Sequence, residues 1–298
     1  MPLPPREHLA RRIANELLDS HGVSQVPVDP TWLAVQEGAT VIEQSGFPTG
    51  CYGALCLVDG AFQILVSTEC PTAGHKRFTI AHEVAHFIID GHVDGLAWTG
   101  DFALSQGHFR GRRDPIEVEA DCFAAELLMP TRWARDVVEQ REPGLGAVRE
   151  LANRFDTSMS ASAIRYAALS PEPVVVVLSH GLQIEWVASS GHFDAAAWMR
   201  FRRHKGEWAP RGSATRYLGG RRDDVATAEE ATGSGLLCEW FEGAPAQLEV
   251  QEEVVGLGPF GRTLTVLSCP DLDPDVLDEE GDADDEPRDW RDALRGYR

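Results

Sequence analysis

The chain has 298 residues, 43% apolar and 25% charged, enough for two domains or one large domain with an appendage. A formal net charge of −20 excludes a chain-wide nucleic-acid sleeve, which needs an excess of lysine and arginine. No apolar run approaches the ~18 residues of a membrane span, the first residues form no apolar signal core, and six scattered cysteines without a C-x-x-C pair predict reduced thiols in a cytoplasmic protein.

Residues 6–20 read as an amphipathic helix, with Leu9, Ile13, Leu17 and Leu18 on one face and His21-Gly22 as a stop. Val28-Asp29-Pro30-Thr31 opens a short helix through about residue 36. Residues 39–44 suit a strand. Two apolar runs, 53–58 and 61–66, flank Asp59-Gly60, and a type I′ turn at that pair predicts a hairpin. A small antiparallel sheet should therefore precede the next helix.

That helix, expected over about 75–90, carries His82-Glu83-Val84-Ala85-His86. Histidines four apart share a helix face, so both rings reach one metal ion, and Glu83 can face a water held there. Residues 93–114, with glycines at 95, 100, 107 and 111, read as an irregular loop bordering a cleft. A second informative helix follows from Asp114 and Pro115 to Pro130, with Ile116, Ala120, Phe123, Ala124, Leu127 and Leu128 on its buried face. Glu117 and Asp121 share another face. The pattern predicts His82, His86 and Glu117 as ligands of a divalent ion with one open position, and Asp121 as the support of a ligand imidazole. Glu119 and His92 rank behind Glu117 as third ligand. Glu119 is turned by about 100° per residue from it. For His92 the chain is expected to stay helical past Ile89, where a turn would be needed. His75, His92 and His108 read as surface or rim residues.

Residues 131–142 form a further helix. From 145 to 169 a helix, a break at Asp156-Thr157-Ser158 and a second helix give a helix-turn-helix outline, with phosphate contact by Arg149, Arg154 and Arg165 the minority reading. Pro171-Glu172-Pro173 marks a boundary. Beyond it, a hairpin over 174–178 and 182–187, a helix over 195–203 and strands over 248–255 and 262–267 outline a smaller module. The cluster Arg200, Arg202, Arg203, His204 and Lys205 reads as a solvated helix end. From Asp271 the composition turns acidic, as in a tail outside any core.

Arg77-Phe-Thr-Ile-Ala-His-Glu-Val-Ala-His-Phe87, followed by Glu117-Val-Glu-Ala-Asp-Cys-Phe-Ala-Ala-Glu-Leu-Leu-Met-Pro130, resembles the ImmA/IrrE family of zinc metallopeptidases, over roughly residues 1–170. The resemblance implies an α+β fold: a zincin-like peptidase core (small antiparallel sheet plus the H-E-x-x-H helix) over 1–134, and a helical segment similar to helix-turn-helix over 135–170. Beyond the resemblance, the strand pattern gives an α+β module over 171–270, read as a sensor or substrate gate, with the acidic tail at 271–298. The resemblance further implies Zn²⁺ on His82, His86 and Glu117, Glu83 as general base, and Asp121 behind a ligand. The implied activity is cleavage of a helix-turn-helix (XRE-type) repressor, which derepresses stress or mobile-element genes. No organic cofactor, membrane or direct DNA partner is expected. The rival reading is a metal-bearing regulator that binds a repressor or DNA without cutting.

Overall fold

The computed structural model describes residues 4–95, 98–99, 102–104, 114–196 and 206–272. Of the expected acidic tail, residues 271–272 are described, and Leu272 is buried in a hydrophobic core cluster, unlike a tail outside any core; residues 273–298, His108 and the 200–205 basic cluster lie outside the described residues. The chain divides into two units, Met1–Trp133 with Ala152–Ser158 and Ala134–Leu151 with Met159–Arg298.

In the first unit, α1 (Glu7–Ser20) buries Ala10, Ala14, Leu17 and Leu18, the stripe its repeat prescribes. At the start of α2 (Pro30–Gln36), Asp29 accepts the N–H groups of Thr31 and Trp32 at 2.9 and 3.1 Å, and Pro30 occupies the first turn, where no N–H is needed. β1 (Thr40–Gln44) follows. The Asp59-Gly60 pair has φ of 51° and 79° and joins β2 (Gly53–Val58) to β3 (Ala61–Ser67) as an antiparallel hairpin.

Two features of this sheet differ from the sequence expectation. β1 pairs with β3 in parallel, so the sheet is mixed: the hairpin's return strand takes the side where β1 lies and runs in its direction. The stretch read as a loop also contains α4 (His92–Gly95), β4 (Trp98–Thr99) and β5 (Phe102–Leu104). β5 pairs with β2 and β4 with β5, giving the order β1-β3-β2-β5-β4. Strands of two and three residues are too short for periodicity to reveal.

α3 (Ala73–Ile88) starts at Thr72, whose hydroxyl accepts the N–H of His75 at 3.0 Å. α5 (Pro115–Leu128) starts at Asp114, whose carboxylate accepts the Ile116 N–H at 3.2 Å. α5 packs on both α1 and α3, and the core joins Leu18, Leu33, Leu55, Ile64, Val84 and Phe123. The division between units falls inside α6 (Thr131–Glu139) and α7 (Leu145–Phe155); α8 (Met159–Leu169) belongs to the second unit. The break between α7 and α8 is held on the first unit by Arg77 of α3. Arg77 pairs with the Asp156 carboxylate and donates to the carbonyls of Asp156 (3.0 Å) and Val28 (2.6 Å). Gly74 leaves room there, since a Cβ would sit 2.9 Å from the Ser158 nitrogen.

The second unit contains β6 (Val174–His180), β7 (Gln183–Ser189), α9 (Gly191–Ala196), α10 (Ala214–Gly219), α11 (Arg222–Ala226), β8 (Glu230–Leu236), α12 (Leu237–Trp240), β9 (Glu249–Gly256) and β10 (Arg262–Ser268). α9 overlaps the helix expected over 195–203 only at residues 195–196, and the rest of that expectation, residues 197–203, lies outside the described residues. The two expected strand pairs join through β6 and β10 into one antiparallel sheet, ordered β7-β6-β10-β9-β8. β8 escaped the sequence reading because Gly233 and Gly235 weaken a strand signal. Its glycine is explained by packing: a Cβ on Gly233 would lie 3.1 Å from the Ala214 Cβ of α10.

One buried carboxylate ties the helices of the first unit. Glu126 of α5 accepts from Asn15 Nδ2 of α1 (3.0 Å) and from the Thr131 N–H and hydroxyl (2.8 Å each), and is 1% exposed. Hydrogen bonds to a buried charge contribute about 1.5–3 kcal/mol. Glu126→Ala should therefore lower the unfolding free energy by about 2–3 kcal/mol in urea titrations followed by circular dichroism, and Glu126→Gln by less. A change below about 0.5 kcal/mol for the alanine variant, the range of ordinary surface substitutions, would contradict this assignment.

Candidate metal centre

α3 buries eight consecutive residues, Thr79–His86, so its polar groups His82, Glu83 and His86 are withdrawn from water along with the apolar ones. Burying such groups costs several kcal/mol unless each finds a partner. α5 brings carboxylates to the two imidazoles. Glu117 and Asp121, one turn apart, both face α3.

His82 Nε2 and His86 Nε2 lie 3.0 Å apart, Glu117 Oε2 lies 3.3 Å from His82 Nε2, and Glu117 Oε1 lies 3.5 Å from His86 Nε2. Donor atoms of His82, His86 and Glu117 are all within 4.8 Å of one another. Ligands about 2.0–2.1 Å from a tetrahedral ion sit about 3.3 Å from each other, so the triangle has the size of three corners of such a site. The chemistry fits as well. His82 Nδ1 is 3.0 Å from Asp121 Oδ1, and His86 Nδ1 is 3.2 Å from His92 Nδ1. With protons on both Nδ1 atoms, both Nε2 atoms turn lone pairs toward each other and toward a carboxylate. Glu117 Oε2 is buried with no hydrogen-bond partner among the described residues. Facing lone pairs are repulsive unless a proton or a metal cation lies between them, the place where an ion would sit.

The electrostatics divide the two imidazoles. Burial disfavours the charged form of His82, but its hydrogen bond to Asp121, the Glu117 carboxylate beside its Nε2 and the negative charges of Asp121 and Glu83 outweigh it and raise its pKa well above the usual value. Burial lowers the pKa of His86 well below that value, and the neighbouring His82 and His92 push the same way, so this ring is neutral.

Glu83 is fully buried and follows His82 on the helix. The first residue of β2 approaches it closely: a Cβ on Gly53 would lie 2.5 Å from Glu83 Oε1 and 2.6 Å from the Thr79 methyl. Sequence reading missed Gly53, since a glycine opening a strand looks ordinary. It also missed Cys51, whose thiol donates to the Gly53 carbonyl at 3.3 Å. Burial raises the Cys51 pKa; its hydrogen bond to Gly53 opposes this, and the charges of Glu83 and Glu117 add to it. Cys122, beside Asp121, has its thiol pushed up to about 12 by burial, which keeps it protonated and unreactive.

Three expectations need correction or placement. His92 is fully buried rather than at the rim. The chain does not stay helical past Ile89: α3 ends at Ile88, Ile89 is extended, and Gly91, at φ 86°, turns the chain so that His92 comes back under His86. Its ring meets His86 on the Nδ1 side, away from Glu117, so His92 is not grouped with the three candidate ligands. Glu119 also points away from them, to His92 Nε2 at 3.1 Å and to Arg6. Burial raises the Glu119 pKa, but the Arg6 guanidinium and N–H, with His92, outweigh it and hold the carboxyl below its usual range. His75 is half-buried and stacks edge-on against Tyr52, with 4.7 Å between ring centres.

Comparison with known proteins follows the same segment. Residues 52–166 match the model of the IrrE N-terminal-like domain. The radiation response metalloprotease IrrE of Deinococcus radiodurans is 30% identical over 123 residues, 39% of this chain and 36% of that protein. Its counterpart in Deinococcus deserti is 31% identical over 124 residues, 39% of this chain and 42% of that protein. The matched stretch is thus well under half of either relative. A solved structure described as a Mycobacterium tuberculosis transcriptional regulator aligns over 88% of both chains with a TM-score of 0.52 and 15% identity, a likeness of fold. Residues 52–166, the stretch that carries His82, Glu83, His86, Glu117 and Asp121, are thus similar to the IrrE N-terminal-like domain.

Proposed function

We propose that the protein is a cytoplasmic zinc-dependent endopeptidase whose substrate is a helix-turn-helix repressor. The observation that carries the catalytic part is the triangle of two imidazole nitrogens and one carboxylate, with a buried glutamate following the first histidine. His82, His86 and Glu117 would hold the ion and leave one position open. A bound Zn²⁺ supplies Lewis acidity, which polarises a scissile carbonyl and acidifies a water toward a pKa of ~7.

Glu83 would serve as the general base of the site, accepting a proton from an attacking water and returning it to the departing amine. Asp121 holds the proton on His82 Nδ1 and thereby keeps Nε2 free to ligate. Gly53 lets the β2 backbone lie against the Glu83 carboxylate and fixes where that carboxylate points. The repressor as substrate is an extension from the family resemblance. The cytoplasmic assignment is supported by six free cysteines, and no helix among the described residues is long and apolar enough to cross a membrane.

Incubating the purified chain and Zn²⁺ with the helix-turn-helix repressor encoded beside its gene should yield two fragments. A stable complex without fragments would support the non-cutting regulator instead. Glu83→Gln should keep one zinc per chain and lower cleavage by at least ~10²-fold, the scale of a lost general base; cleavage at the wild-type rate with zinc bound would remove Glu83 from that role. In Gly53→Ala the new methyl meets the Glu83 carboxylate, so kcat should fall about 10–100-fold with zinc content unchanged. Wild-type kcat in that variant would mean that β2 does not set the position of Glu83.

A further inference from the structure

His82 and His86 are supported differently. Asp121 faces His82 Nδ1, whereas behind His86 stand the buried His92 and Glu119, followed by Arg6 at the start of α1. Glu119 Oε1 accepts the Arg6 backbone N–H at 2.8 Å and Arg6 Nε at 3.2 Å; Oε2 accepts Nε at 3.1 Å and Nη2 at 2.8 Å. Arg6 Nη2 also donates to the Asp90 carbonyl at 3.2 Å, just before the turn that brings His92 back. Glu119 Oε2 then lies 3.1 Å from His92 Nε2, and His92 Nδ1 lies 3.2 Å from His86 Nδ1.

For a neutral His92 the order of donors along this chain has one consistent solution. Arginine has no acceptor, so Glu119 accepts as a carboxylate. As an acceptor it requires the proton on His92 Nε2. A neutral His92 protonated there offers a lone pair at Nδ1, which requires the proton of His86 on its own Nδ1. The lone pair of His86 is then on Nε2, the atom 3.0 Å from His82 Nε2 and 3.5 Å from Glu117 Oε1. The opposite tautomer of His86 would turn its Nδ1 lone pair onto the lone pair of His92 inside a site from which water is excluded. We infer that His92 and Glu119, clamped by Arg6, are positioning residues that set the tautomer and orientation of His86 for metal binding, an inference that rests on the metallopeptidase reading above.

Outer partners of a ligand histidine contribute about 10–100-fold in metal affinity. The test is the zinc dissociation constant of the full chain by chelator competition, with the visible absorption of the Co²⁺-loaded protein as a report on ligand geometry. His92→Phe keeps a ring and removes both nitrogens. It should weaken zinc binding about 10–100-fold and alter the Co²⁺ bands, and Glu119→Gln should weaken zinc in the same direction. Because both act through one chain, the His92→Phe/Glu119→Gln double variant should bind zinc no more weakly than His92→Phe alone. Multiplying losses would overturn the relay. So would His92→Phe with wild-type Co²⁺ bands and zinc affinity within twofold of the wild type. If circular dichroism shows His92→Phe unfolded, Glu119→Gln decides alone, and unchanged affinity there overturns the inference. A wild-type chain that takes up neither zinc nor cobalt would remove the metallopeptidase reading and the relay together. Metal uptake abolished by Glu117→Ala but insensitive to His92 and Glu119 would remove only the relay.

Discussion

The packing of α5 against α3 is the constraint from which the first unit takes its meaning. Each helix alone carries a liability: α3 withdraws two imidazoles and a carboxylate from water, and α5 carries Glu117, Glu119, Asp121 and Glu126 along a largely apolar segment. Brought together, the imidazoles gain carboxylate neighbours, while Glu117 Oε2 is left facing them without a hydrogen-bond partner among the described residues. Alanines at 120 and 124, both fully buried, face the packed side of α5 and let its backbone come close to its neighbours. Bulk at either position would push Glu117 away from the imidazoles as well as disturb the core.

α5 distributes its acidic residues by angle. Glu117 and Asp121, four apart, address the Nε2 side of the two rings and the Nδ1 of His82. Glu119, about 200° around the helix from Glu117, reaches the far side of His86 through His92. One helix therefore supplies a candidate ligand, the support of one histidine and the anchor of the other's support. Alternate acidic residues in E-x-E-x-D occupy different environments, with Asp121 a third exposed and Glu119 almost wholly buried.

Much of this was legible in the sequence because it is local. Helical spacing of His82, His86, Glu117 and Asp121, the caps at Asp29 and Asp114 and the Asp59-Gly60 turn depend on residues a few positions apart. What stayed hidden depends on return paths. Gly91 folds His92 back, and nothing in a six-residue spacing from His86 states whether a histidine ends at the rim or under its neighbour. The Arg6–Glu119 pair spans most of the first unit, and the parallel β1–β3 pairing follows from which side the hairpin closes on. Gly53 was invisible for another reason: its role is the absence of an atom, and only the position of Glu83 reveals it.

The Arg6–Glu119 pair also changes how the start of α1 should be regarded. An ion pair between exposed side chains contributes about 0–1 kcal/mol, and Arg6 itself is nearly half exposed. Its partner is not: the Glu119 side chain is 4% exposed, and without Arg6 its carboxylate would keep only the hydrogen bond from His92 among the described residues. Removing one member of a buried pair costs far more than a surface bridge is worth, because the remaining charge stays desolvated. Arg6 adds its backbone N–H to the same carboxylate, so the geometry belongs to the chain path and not only to the side chain. The residues that lead into α1 are thereby part of the support of His86, although they lie far from it in sequence.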